Sequence, residues 1–111
     1  MIKEAPKNMS NKEYQLEVQR TVRFDLEKEE RIKSFIMGLA GETGKVIELI
    51  KKYFYHDQKL DMIALIDELG DLLWYFTNIL NEFELELSEI QIKNINKLYK
   101  RYPKGFEAGR R

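Results

Sequence analysis

The chain has 111 residues, 43% of them hydrophobic and 34% charged, and 19 basic side chains balance 19 acidic ones. That length is enough for one soluble domain with its own core, and the even balance argues against a nucleic-acid binder. The absence of cysteine excludes a disulfide framework and a thiolate zinc site, and no apolar run approaches the ~20 residues of a membrane span.

Met1 to Ser10 is polar and lacks the apolar core of a signal peptide. A flexible segment over residues 1–9 and a cytoplasmic home are therefore expected. The two prolines, Pro6 and Pro103, lie near the ends, so nothing between them must break a helix. Alternating β-branched residues are scarce, and the expectation is an all-α chain.

The first helix is predicted from Ser10. Ser10 to Glu13 reads as a capping box, with Glu13 reaching back to the cap. Tyr14, Val18, Thr21 and Val22 form a short apolar stripe, and an end near Arg23 to Leu26 is expected. The second helix is predicted from about Lys28 to Phe54, where Ile32, Ile36, Leu39, Thr43, Val46 and Ile50 recur at helical spacing.

The third is predicted from about Asp61 to Phe83. Its apolar residues cover most of the circumference, the mark of a central helix. In a chain this small, a partner subunit would cover part of it. The fourth is predicted from Ser88, with Ser88 to Gln91 as a second capping box, and Pro103 and Gly105 stop it. From Lys97 to Arg111 there are six cationic side chains and one acidic one, so residues 103–111 form a basic tail.

Three acids fall on apolar faces. Glu42 lies among Leu39, Val46 and Leu49, and Glu68 among Leu65, Leu69 and Leu72. Asp71 follows Glu68 by three and projects from the same side. A carboxylate on such a face costs several kcal/mol unless compensated. A basic residue, a hydrogen-bond network or a metal ion could do so. Magnesium takes carboxylate oxygens together with substrate phosphates.

Gly38, Gly41 and Gly44 are spaced by three, and Gly70 separates Glu68 from Asp71. Each costs roughly 1 kcal/mol against alanine inside a helix. Either close helix packing or close approach of a ligand would explain them. Other chemistries find little support. There is no Glu-x-x-His pair for a di-iron bundle, and the one histidine, His56, falls in a loop-like stretch. No Walker-type loop and no nucleophile with a histidine partner are present.

Gly38 to Lys52 (GLAGETGKVIELIKK), Asp67 to Tyr75 (DELGDLLWY) and Asn94 to Phe106 (NINKLYKRYPKGF), with Tyr14-Gln15 before them, together resemble the MazG-like branch of the all-α nucleotide pyrophosphohydrolases. The resemblance covers about residues 10–106. It implies a four-helix bundle of the all-α NTP pyrophosphatase type, with the second and third helices antiparallel at the centre and paired subunits, a homodimer or homotetramer, completing it. It implies hydrolysis of a (deoxy)nucleoside triphosphate to the monophosphate and pyrophosphate, with magnesium, or manganese in its place. Glu42, Glu68 and Asp71 are the implied metal ligands and catalytic acids. Tyr75 is the implied nucleotide contact, and Lys51, Lys52, Asn94, Lys97 and Arg101 are the candidates for the phosphates.

One position departs from the pattern. The family's first motif is Glu-x-x-Glu, and its second glutamate falls where this chain has Lys45. That lysine could swing away on its long stem, or pair with Glu42 or a phosphate in place of one metal ion. It could also mark a chain that keeps the fold, or nucleotide binding, without catalysis. A metal-dependent hydrolase, a non-catalytic nucleotide-binding module and a ligand-free interaction bundle are the three functions compatible with the residues.

Overall fold

The computed structural model describes residues 2–108; Met1 and residues 109–111, the end of the basic tail, lie outside the described residues. Among the described residues the chain forms four α-helices and no strand: α1 (Asn11–Gln19), α2 (Lys28–Tyr55), α3 (Met62–Glu82) and α4 (Leu87–Arg101). None is long and apolar enough to cross a membrane.

Local chemistry explains the helix ends. The Ser10 hydroxyl accepts the Glu13 N–H at 3.1 Å, and the Glu13 carboxylate takes the Ser10 N–H at 3.1 Å, closing the capping box. α1 stops at Gln19, earlier than the stripe predicts. The cause is Thr21, whose backbone N–H and hydroxyl both donate to the Val18 carbonyl, at 3.1 and 2.8 Å. A hydroxyl that bonds back in this way competes with continued helix.

α3 ends in a Schellman motif. The Leu85 N–H donates to the Leu80 carbonyl at 2.9 Å and the Glu84 N–H to Asn81 at 3.1 Å, with Glu84 in the left-handed region at φ 56°. This tight reversal leaves only residues 83–86 before α4. The α4 cap is therefore Glu86 and not Ser88: the Glu89 carboxylate takes the Glu86 N–H at 2.6 Å.

α2 and α3 run antiparallel and make the main packing of the chain. Arg31, near the start of α2, forks onto Glu82, at the end of α3, with Nε and Nη2 donating at 2.7 and 2.9 Å. Farther along α2, Gly38 faces the Tyr75 ring. Phe35 is buried beside Trp74, whose ring meets it edge-on at 5.7 Å. The Trp74 indole N–H donates to the Thr21 hydroxyl at 2.8 Å and so pins the α1–α2 connection.

α3 also packs on α1, as its all-round apolar pattern predicts, and α4 packs on α1. One side chain joins these elements. Gln15 donates to Asn81 Oδ1 at 2.9 Å and to the Leu85 carbonyl at 3.0 Å, and it accepts the Leu87 N–H at 2.9 Å.

The buried apolar core is small, with Val18, Phe35 and Leu80 at its centre. Ile36, Met37 and Ile47 on α2, Ile63 and Ile66 on α3, and Ile92 on α4 all stand exposed. The radius of gyration is 17.4 Å, against ~13 Å for a compact domain of this length. The helices thus enclose little of the apolar surface they carry.

The glycines divide into two kinds. A Cβ on Gly38 would fall inside the Tyr75 ring, whereas Gly41, Gly44 and Gly70 have open space where a Cβ would go. Gly38→Ala is therefore expected to lower stability by about 1–3 kcal/mol, because Tyr75 must leave its edge-on contact with Trp74. Gly41→Ala is expected to raise it by up to ~1 kcal/mol in the same chain. Urea unfolding of the two variants beside the parent checks both signs.

Candidate metal centre

The antiparallel register sets Glu42 of α2 opposite Glu68 and Asp71 of α3. One carboxylate oxygen from each lies within 4.8 Å of the others. Glu68 and Asp71 come from successive turns of one helix face, and Glu42 is carried across the helix–helix contact. The sequence singled out these three acids on apolar faces, and the fold brings them together.

Their burial is graded. Glu42 is only 9% exposed, Glu68 is half-buried and Asp71 is exposed. Among the described residues, Glu42 Oε2 and Glu68 Oε2 are buried without a hydrogen-bond partner. Two buried carboxylate oxygens without a donor in one acidic cluster are a costly arrangement. A proton shared between them, or a cation bound to both, removes the cost. The donor set is all oxygen and anionic, which suits a hard divalent cation such as Mg²⁺ or Mn²⁺.

The other oxygen of Glu42 is engaged. Lys45 Nζ donates to Glu42 Oε1 at 3.1 Å, with the lysine side chain 60% exposed at the mouth of the cluster. The hydrogen bond to Glu42, its negative charge, and the charges of Glu68 and Asp71 raise the lysine's pKa. Lys45 therefore stays an ammonium. The Glu68 side chain beside it holds the Glu42 carboxyl below its ordinary value against burial, with help from Lys45. The same contact with Glu42, burial and the Glu42 charge push Glu68 above its ordinary value.

Other site candidates lie around or away from this cluster. Tyr75 is one turn beyond Asp71 and lines a pocket of about 180 Å³ between the α1–α2 connection, α2 and α3. Arg23, Arg31, Phe35 and Trp74 also line it. Lys51 and Lys52 are exposed near the end of α2, roughly 14–15 Å along the axis from Glu42 at 1.5 Å per residue. Asn94, Lys97 and Arg101 sit on α4, which packs on α1. Within one chain these five are not gathered at the acids.

An open groove of about 570 Å³ is lined by α4 residues alone, Lys97 among them. A groove with a single helix for its wall is an uncovered face and not a cleft. Glu48 and Asp67 do not join the acidic cluster, and His56 caps the end of α2. Sequence reasoning missed Trp74, Thr21 and Arg31 beside the Tyr75 pocket. Their partners lie 53 and 51 positions away along the chain, and no local spacing announces them.

Residues 30–106 match the family model described as the MazG nucleotide pyrophosphohydrolase domain. The chain is 32% identical over 80 residues to the Gene 37 protein of Mycobacterium phage L5, covering 66% of this chain and 68% of that protein. No solved structure matches the chain.

The two glutamates give opposite pH dependences. The folded pKa of Glu68 is raised, so its contribution to stability is present at low pH and lost as pH rises through the raised value. That of Glu42 is lowered, so its contribution is present above the ordinary carboxylate range and lost as pH falls through the lowered value. The metal-free protein should therefore melt at lower temperature as pH rises past the ordinary glutamate range and through the Glu68 titration. Glu68→Gln should abolish that loss, and Mg²⁺ should reverse it in the parent. Thermal midpoints across pH, in EDTA and in Mg²⁺, measure both effects.

Proposed function

The chain belongs to the MazG nucleotide pyrophosphohydrolase domain family, and from that membership we propose that it is a metal-dependent pyrophosphohydrolase of (deoxy)nucleoside triphosphates. The observation that carries this reading is the pair of buried, unpartnered oxygens, Glu42 Oε2 and Glu68 Oε2, with Asp71 beside them. Glu42, Glu68 and Asp71 would hold the ion. A divalent ion there neutralises the polyphosphate and lowers the barrier to attack at phosphorus.

The chain's own groups do the rest. The Tyr75 pocket is lined by the rings of Phe35, Trp74 and Tyr75, which suits a nucleobase. Asp71 lies one helical turn before Tyr75, so a triphosphate would extend from this pocket along α3 toward the acids. The oxygen of a water bonds to the α-phosphorus, and the bond from that phosphorus to the α–β bridging oxygen breaks. The bridging oxygen leaves with pyrophosphate, and a carboxylate of the cluster takes the water's proton. The products are the nucleoside monophosphate and pyrophosphate.

The uncovered apolar faces support a homo-oligomer, a dimer or tetramer. A second copy is also the simplest way to bring the cations of α4 toward an acidic cluster they do not reach in their own chain. A second functional reading, nucleotide binding without turnover, is favoured by the Lys45–Glu42 contact.

Pyrophosphate release from a panel of ribo- and deoxynucleoside triphosphates, with Mg²⁺, Mn²⁺ and EDTA, tests the reaction. Metal-dependent release is expected, falling at least ~100-fold in Glu68→Gln and Asp71→Asn. Activity that survives both substitutions refutes the site. Nucleotide binding without release in folded protein favours the second reading. Sedimentation analysis should give two or four chains per particle, and a monomer at working concentration overturns the oligomer.

A further inference from the structure

The two oxygens of Glu42 have different fates. Oε2 is buried and unpartnered, as is Glu68 Oε2 in the same cluster, while Oε1 accepts from the Lys45 ammonium at 3.1 Å. A cation on the inner oxygens leaves the Lys45 contact intact. A second divalent cation on Glu42 Oε1 would have to displace the ammonium and then bind beside it.

Charge leads to the same limit. Before substrate arrives, three carboxylates and one ammonium carry two negative charges, which one divalent ion balances. The lysine is also well placed toward an incoming ligand. Its side chain is mostly exposed whereas that of Glu42 is only 12% exposed, so the ammonium is open to an anion coming from solvent.

We propose that Lys45 stands in for a second divalent cation, so that the site holds one metal ion and one tethered ammonium against the substrate's phosphates. The inference rests on the hydrolase reading above and adds the stoichiometry and the role of this side chain. The ammonium donates to a phosphate oxygen while its neighbour ion sits on the inner carboxylates. It is a compact point charge on a flexible stem, able to leave Glu42 Oε1 for a phosphate without leaving the site. Its charge is built into the chain and is not removed by a chelator.

The test counts ions directly. Free Mn²⁺ is followed by electron paramagnetic resonance as the full chain is titrated, with and without a triphosphate whose α–β bridge is a non-hydrolysable imido group. The expected result is one ion per chain in the parent and two in Lys45→Glu. In Lys45→Gln the expectation is still one ion, with affinity for the triphosphate analogue at least ~10-fold weaker than in the parent.

Two ions in the parent, one in Lys45→Glu, or unchanged analogue affinity in Lys45→Gln overturns the inference and leaves the hydrolase reading standing. No ion bound by any folded form overturns both. Because Lys45 is mostly exposed, the variants are expected to fold, and circular dichroism before titration verifies it.

Discussion

Everything at the candidate centre depends on the register of α2 against α3. The Arg31 fork on Glu82 sets it near one end of the contact, since a bidentate pair admits a single alignment. The fit of the Tyr75 ring over the bare backbone of Gly38 repeats the constraint farther along. A slip of one turn, ~5.4 Å, would part Glu42 from Glu68 and Asp71 and undo the cluster. The Arg31 guanidinium is itself held, by the Leu26 carbonyl at 2.6 Å and by the Phe24 ring at 5.0 Å from the guanidinium carbon. A contact remote from the acids thus decides whether they meet.

The acids in turn show how a small bundle tolerates buried charge. Glu42 lies deep enough that its inner oxygen has no access to water, yet its outer oxygen has a cation, and the graded exposure from Glu42 to Asp71 opens the cluster on one side. A fully buried triad would neutralise itself by taking up protons, and a fully exposed one would bind ions weakly against water. The intermediate arrangement holds its charge and keeps an entrance.

Much of this was legible in the sequence, for identifiable reasons. The all-α class and the four helices follow from periodicity, which also set Glu42 and Glu68 on apolar faces; that Glu42 joins Glu68 and Asp71 was implied by the resemblance. The capping box at Ser10 was legible because it is complete within four residues. The end of α1 was not, since a threonine at helical spacing looks like stripe until its hydroxyl is seen bonding backward. The α4 cap was misplaced because Ser88 is a good cap by type, while the Schellman reversal around Glu84 had already fixed where the helix must start. Three of the four interior glycines proved unrelated to packing within the chain, and spacing alone does not distinguish them from Gly38. The α4 cations were grouped with the acids by resemblance, which carries no information about which chain supplies them.

Gln15 has a consequence of another kind. Its amide nitrogen donates twice and its oxygen accepts once, each to a different partner. Glutamate would turn two attractions into repulsions, methionine would keep the shape and lose every bond, and asparagine would fall short by a methylene. The acids of such a centre can be exchanged for a cation, as position 45 shows, yet this unremarkable polar residue on a short helix has a single chemically acceptable occupant. A change there would loosen the junction of three helices without touching a carboxylate of the site.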